Sequence, residues 1–195
     1  TPNKVQQFVL KFNTDLNRLV VDPKTFAPTG ITTIASDIVS VKHGLNTGDL
    51  VVYTNAVGVA TPLQSSREYY AIKIDEDTFR LAETRVDALE FPFKNIIITQ
   101  QGHGTHEVAK INPKIEIING GRFALNTSDV SLSGYDINFY KDNDFQCRYE
   151  STNIKRDGVI GDGVAGTQII VDIDKDLLNN FYYRIEGDDV QYTNT

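Results

Sequence analysis

Three histidines and several short acidic and glycine-rich runs are the parts of this 195-residue sequence whose residue types could do chemistry. His103 and His106 are three residues apart, and His43 would come near them if the strands that carry them pair. Three imidazoles could bind zinc or a similar ion. On an extended chain, however, side chains three residues apart point to opposite faces, and no carboxylate is clearly placed to complete the set. Ordinary turn and strand-end histidines are the preferred interpretation, with His43, His103 and His106 kept as weak metal candidates.

Acidic and glycine-rich runs give two further candidate sites. Asp172, Asp174 and Asp176 alternate as calcium ligands do. An EF-hand loop that began at Asp172 would need glycine and glutamate where Leu177 and Tyr183 stand, so that motif fails. The run GDGVAG (161–166) matches the dinucleotide fingerprint, which requires a helix after it. Because TQIIVDI follows and has the pattern of a strand, we predict a glycine-rich turn and no cofactor.

The stretch HGLNTGDLVVYT (43–54) places several polar residues close together, as a reactive loop would. A structural interpretation is sufficient, because glycines permit positive φ at a sharp reversal. The neighbouring Asn, Thr and Asp side chains can hydrogen-bond the turn's own backbone. We therefore predict a structural motif and no catalytic residue. It consists of His43, Gly44, Gly48, Asp49 and His106, with the two histidines near one another and helping to close a small barrel.

Composition narrows the classes of partner. The net charge of −7 is concentrated after residue 110, and an acidic surface repels phosphate, so we expect no nucleic-acid partner. No apolar run approaches the length of about 18–20 residues that a membrane helix needs, so we expect no membrane partner. A single cysteine, Cys147, allows no internal disulfide. The absence of methionine leads us to expect a piece of a longer polypeptide.

Apolar residues recur with period two along most of the chain, which is typical of strands. We predict an all-β fold, with a small barrel-like β module over 30–110 followed by an immunoglobulin-like β-sandwich over 111–195. Residues 1–29 would form an N-terminal β segment that belongs to a preceding domain or to this one, and Asn112-Pro113 would mark the joint between the main domains. Strands are predicted at 5–12, 19–21, 38–42, 50–54, 68–74, 78–82 and 96–99, and around residues 115–117, 123–125, 135–139, 145–149, 169–173 and 181–185. A loop is predicted at 22–30 and a turn at 174–180.

The order of short motifs resembles a module of virion structural proteins from marine tailed phages, especially cyanophage myoviruses. The motifs are HGLNTGD, REYYAI, an acidic turn before TFRLA, and GHGTH; in the second half they are SGYDINF and FYYRI. The resemblance covers roughly residues 30–190. It implies a non-enzymatic tail, baseplate or fibre component, located in the virion, that assembles with other virion proteins and as a homo-oligomer. Two alternatives stay open. The second hypothesis is an adhesin that binds host-surface glycan, and the third is a glycan depolymerase with two facing carboxylates.

Overall fold

The computed structural model describes residues 5–117, 121–173 and 180–187. Within these ranges nearly all regular structure is β, which confirms the predicted all-β fold class. The one α-helix of the described residues, α1, covers Arg85–Leu89, so none of their helices has the length and hydropathy needed to cross a membrane. The strands are β1 (Gln6–Asn13), β2 (Arg18–Phe26), β3 (Ile38–Val39), β4 (Leu50–Thr54), β5 (Arg67–Lys73), β6 (Thr78–Ala82), β7 (His106–Ile111), β8 (Arg122–Asn126), β9 (Asp136–Tyr140), β10 (Ile154–Asp157), β11 (Gln168–Asp172) and β12 (Tyr182–Glu186).

The chain divides into two compact units, which we call the central unit and the terminal unit. The central unit is Val20–Pro113, and the terminal unit combines Thr1–Leu19 with Lys114–Thr195. The predicted N-terminal segment 1–29 is therefore divided between them. Its first strand, β1, pairs in parallel with β8 of the terminal unit, so β1 belongs to that unit's sheet.

In the central unit the strands follow the order β2-β7-β4-β5-β6-β3, and all neighbours are antiparallel. Alternating buried positions in these strands supply one continuous core that includes Tyr53, Tyr69 and Phe79. The predicted barrel is wrong in one respect, because closure by a backbone ladder is not found within residues 5–117. β3 is only two residues long, and just beyond it a side-chain bond, Ser40 Oγ to Thr25 O at 3.4 Å, reaches β2.

The terminal unit contains the strand order β10-β11-β8-β1 and a separate two-stranded sheet, β12-β9. Aromatic residues join the two sheets: the Phe181 ring lies 6.1 Å from Phe123 of β8 and 5.7 Å from Phe139 of β9, centroid to centroid. The apolar residues predicted at alternate positions of these strands, such as Ile137, Phe139, Ile169 and Val171, are buried. Two packed sheets with alternating inward side chains are the arrangement expected of a sandwich.

Several local predictions differ from the structure. The predicted loop is wrong for residues 22–26, which continue β2 through a β-bulge between Val21 and Lys24. A proline, which suggested the loop, can be accommodated in a strand at a bulge because the ladder is already interrupted there. Residues 96–99 and 145–149 form no strand. Residues 142–147 instead turn around Asp142, which accepts the backbone N–H groups of Gln146 and Cys147. The prediction for 174–180 falls almost entirely outside the described residues.

Candidate functional site

Two buried polar clusters in the central unit contain the histidines singled out by the sequence. The first surrounds His43, which is only 1% exposed. Its Nδ1 accepts the Leu45 N–H at 2.9 Å, and its Nε2 lies 3.0 Å and 3.3 Å from the carbonyl oxygens of Asp75 and Thr78. Because Nδ1 accepts, the ring proton must be on Nε2, from which it is donated to these carbonyls. His43 therefore fastens its own corner to the β5–β6 turn with both ring nitrogens.

The remaining polar residues of 43–54 are engaged by nearby backbone. Asp49 Oδ2 accepts the Asn46 N–H at 2.8 Å and lies 3.6 Å from the ammonium of Lys110. Thr47 Oγ1 accepts the Lys73 N–H of β5 at 3.0 Å, so it binds the neighbouring strand and not its own turn. Gly44 and Gly48 have φ of 66° and 90°, which L side chains rarely adopt. The polar side chains of this corner are therefore already engaged in bonds that shape the turn and attach it to neighbouring strands.

The second cluster surrounds His106, which is fully buried at the start of β7. Its Nδ1 lies 2.6 Å from the Tyr53 hydroxyl and 3.0 Å from Asn55 Nδ2, and its ring stacks on Phe26 at 5.4 Å. Among the described residues its Nε2 has no hydrogen-bond partner. Burial, followed by the nearby charge of His103, lowers the pKa of His106, while burial raises the pKa of Tyr53. Both groups are thereby held neutral at pH 7.

The three histidines do not combine into a metal site. His103 is exposed, whereas His43 and His106 are buried. The His43 ring contacts Phe79 and the His106 ring contacts Phe26, and the two phenyl rings are 6.2 Å apart. No group of three or more potential metal ligands occurs in residues 5–117, 121–173 and 180–187. Since both ring nitrogens of His43 are already engaged, a metal would have to displace bonds that shape the corner.

The acidic and glycine-rich candidates are also engaged in local structure. Asp172 pairs with Arg122, which lowers the pKa of its carboxyl; Asp174 and Asp176 lie outside the described residues. The run 161–166 is a turn followed by the strand β11, as predicted. Its Asp162 accepts the Val164 N–H at 2.9 Å, and this bond is the main reason that the pKa of Asp162 is lowered.

One open cavity of about 380 Å³ lies in the terminal unit. Its polar lining includes Tyr135, Asp136, Arg156, Asp157 and Gln168. The Arg156 guanidinium is fixed by β9, since it donates to the Ile137 carbonyl at 2.7 Å and to Asn138 Oδ1 at 3.1 Å. The volume is at the small end of the range for ligand pockets, about 300–1,000 Å³. The cavity therefore has room for a small ligand.

Sequence reasoning missed Tyr53 and Asn55, which complete the His106 cluster. Tyr53 has the pattern of an ordinary core residue in β4. Asn55 had a usable signal, because an Asn directly after a strand and three residues before a glycine is typical of a turn in which its side chain binds backbone. Indeed, Asn55 Oδ1 accepts the N–H groups of Val57 and Gly58.

Comparisons with family models, with curated proteins and with solved structures find no match to this chain.

Proposed function

We propose that this chain is a non-enzymatic structural component of a phage virion, in a tail, baseplate or fibre, that assembles through its β domains. The observation that carries the proposal is that polar side chains of the central unit, which could have formed a reactive site, are already bonded to backbone. His43, Asp49 and Asn55 all bind backbone atoms of their own unit. A catalytic group needs free access to a substrate, whereas these groups fix loops to strands. The particular role rests on the order of short motifs, which resembles that of virion structural proteins.

The distribution of aromatic side chains supports a scaffold over a sugar-binding surface. Most aromatics of the central core, such as Tyr53, Tyr69 and Phe79, are buried, and so are Phe123 and Phe139 of the terminal unit. Of the described aromatics, Phe91, Phe93 and Tyr182 are the exposed ones. Aromatics that fill cores contribute packing energy and leave few rings to stack on a ligand.

Surfaces suited to assembly exist in each unit. In the central unit, Phe91 and Phe93 are exposed and contact each other edge to face at 5.9 Å. Exposed apolar side chains of this size often mark contacts between proteins. In the terminal unit, β10 ends its sheet and pairs, among the described strands, with β11 alone, so its outer edge offers backbone groups to another strand. We expect such contacts with copies of this chain or with other virion proteins.

The test is to locate the chain in the particle. Antibodies raised against the purified 195-residue chain would be applied to purified particles of the phage whose genome encodes it, followed by gold labelling and electron microscopy. Regular labelling of a tail, baseplate or fibre, together with peptides of the chain in the particle's mass spectrum, is the expected result. Particles that carry neither peptides nor label would overturn the proposal. Antibody pre-absorbed with the chain is the control.

The cavity of the terminal unit favours a second candidate, an adhesin that binds host-surface glycan. Carboxylates, an amide and a positioned guanidinium are groups that hydroxylated ligands can bond. A glycan array probed with the chain would show selective binding, lost in Asp157→Ala, if this alternative holds. Binding that is unchanged in Asp157→Ala, or absent from the array, would exclude the cavity as the glycan site. Lys155→Ala, on the same strand but outside the cavity lining, is the matched control.

A further inference from the structure

The hydrogen bonds around His106 allow only one protonation state of its ring. Asn55 cannot turn its amide over, because its Oδ1 accepts the N–H groups of Val57 at 2.8 Å and Gly58 at 2.7 Å. Its Nδ2 group is therefore directed at His106 Nδ1 and at the His103 carbonyl, each at 3.0 Å. A donor that faces Nδ1 requires a lone pair there, which places the single ring proton on Nε2.

Tyr53 adds a second donor to the same nitrogen. Its hydroxyl oxygen accepts the Ala60 N–H at 3.0 Å, so its hydrogen is free to point at His106 Nδ1, 2.6 Å away. If Nδ1 carried a proton, that N–H would face the Asn55 amide hydrogens. It would also force the Tyr53 hydrogen away from the acceptor that it now uses. The Asn55 amide hydrogen and the Tyr53 hydroxyl hydrogen would both lose their acceptor, whereas a proton on Nε2 leaves one donor of this cluster, the Nε2–H itself, without a partner among the described residues. Each buried donor without an acceptor is destabilising, so the proton on Nε2 is favoured.

We propose that His106 is a pH-sensitive latch: in mild acid, a second proton on its ring releases the loop of residues 55–61 and the adjoining loop of residues 100–104, while β5 and β6 stay paired. The two loops depend on each other. His103 N–H donates to the Gly58 carbonyl at 3.0 Å, and the Thr61 N–H donates to the Gln100 carbonyl at 3.0 Å. Asn55 joins both loops to the ring, so its displacement loosens both. In contrast, the ladder between β5 and β6 includes no group of this cluster.

The groups packed around the His106 ring all disfavour a second proton on it. β2 contributes the apolar Phe26 and β4 contributes Tyr53. The loop before β7 contributes His103, whose positive charge opposes a charge on His106. Within the described residues, no carboxylate contributes to the pKa of this histidine, which burial lowers first and His103 second.

The sign of the pH effect follows from this lowered pKa. An open latch exposes an ordinary histidine with a pKa of about 6.5, so the open form binds the proton more readily than the closed form. The latch is fully stable above pH 6.5 and loses stability as the pH falls through the window below that value. In this window the population of the open form rises up to about tenfold for each pH unit.

Amide hydrogen exchange by NMR on the ¹⁵N-labelled 195-residue chain tests the latch between pH 7.5 and pH 5.0. After correction for intrinsic exchange rates, we expect protection of Gly58, Ala60, Thr61 and His103 to fall up to about tenfold per pH unit below pH 6.5. Protection of Tyr70 and Ile72 in β5, which pair with Ala82 and Arg80 of β6, should stay constant. Unchanged protection in the two loops, or an equal loss in β5, would overturn the proposal.

Asn55→Asp provides a matched variant that reverses the sign. Its carboxylate can still accept the N–H groups of Val57 and Gly58, but it presents an acceptor to His106 Nδ1 and favours the protonated ring. In acid, the amide hydrogens of the two loops should then become better protected from exchange, and the His106 ring of this variant should titrate above pH 6.5. Loss of protection in acid, as in the unaltered chain, would contradict the latch. The variant His103→Gln should lose loop protection in acid as the unaltered chain does. If this variant shows no acid response, the response belongs to His103 and not to His106.

The ring of the unaltered chain gives a readout that does not depend on any variant. The His106 ring carbon signal should titrate below pH 6.5 in the folded chain. A titration at or above that value would show that the closed latch accepts the proton, and the proposal would fail.

Discussion

The central and terminal units bury their polar groups in different ways. In the central unit, buried His43 and Asn55 bond mainly to backbone, and His106 bonds to the neutral side chains of Tyr53 and Asn55. These bonds tie together loops that are far apart in sequence. In the terminal unit, the buried polar residue Asn138 bonds to charged side chains instead: Arg148, Arg156, Asp136 and Glu186. The first arrangement fixes neutral groups in an apolar core, and the second places a neutral amide within a partly exposed ionic network.

Titration and salt should therefore act on different parts of the molecule. Neutral buried bonds are weakly affected by salt, whereas partly exposed charges are screened by it. A buried histidine, in turn, makes the central unit sensitive to pH near neutrality. The stability of the central unit should therefore depend mainly on pH, and that of the terminal unit should depend more on salt.

The largest effect should come from His106→Ala in the central unit. The change removes an acceptor from Tyr53 and Asn55 and leaves a cavity beside Phe26, so we expect a loss of about 3–4 kcal/mol. Urea unfolding followed by NMR signals of β4–β7 is the measurement. His103→Ala, at an exposed position, should cost within about 0.5 kcal/mol. Equal costs for the two variants would contradict a structural role for the buried ring.

A smaller loss is expected from Gly161→Ala in the terminal unit. Gly161 has φ of 76°, and an added Cβ would lie 2.2 Å from the backbone nitrogen of Ser133. We expect a cost of about 2–3 kcal/mol, of which positive φ alone accounts for about 1–2 kcal/mol. Gly134→Ala is the matched control, since it has φ of 87° and open space around the new atom. If both variants cost the same, close contact with Ser133 is not a constraint. Urea unfolding of the terminal unit measures both.

Asn138→Ala and Asn55→Ala compare the two kinds of buried amide directly. Each should cost about 1–3 kcal/mol, because partners of a buried amide lose their bonds. In 1 M salt the cost of Asn138→Ala should fall, since its partners are charged, while that of Asn55→Ala should stay the same. Urea unfolding at 0.1 M and 1 M NaCl provides the four values. An equal response to salt would remove the distinction between the units.

The smallest effect should come from Arg122→Gln. Arg122 pairs with Asp172 across β8 and β11 on an exposed face, and exposed pairs contribute little. Its guanidinium lowers the pKa of Asp172, so the pair stabilises the fold above the usual carboxyl range and loses this contribution as the pH falls below it. The variant should unfold at nearly the same urea concentration at pH 7, with a weaker dependence on pH between 4 and 2. A large loss at pH 7 would show that the pair is structural.

Strand periodicity predicted the fold class and much of the strand pattern, because side chains alternate between core and solvent. It failed where few apolar residues mark the strand. β10 has mainly charged side chains and lies at a sheet edge. Strand order was also beyond prediction, since the parallel pairing of β1 with β8 joins segments more than a hundred residues apart.

The histidines and turn glycines of the site were predictable from the sequence, but their partners and their arrangement were not. The turn glycines Gly44 and Gly48 have the positive φ expected of them. The partners of His43 and His106 come from distant strands and loops, so sequence spacing could not identify Tyr53 or the Asp75 carbonyl. Polar networks of this kind depend on tertiary register, which local patterns do not contain.

¹⁵N NMR of the histidine rings at pH 7, recorded before and after one equivalent of zinc, tests whether His43 and His106 have a structural role. A structural role predicts that His43 and His106 both carry their single proton on Nε2, with ring shifts that zinc does not change. A proton on Nδ1 of either ring, or zinc-dependent shifts at both, would contradict it and restore a metal site.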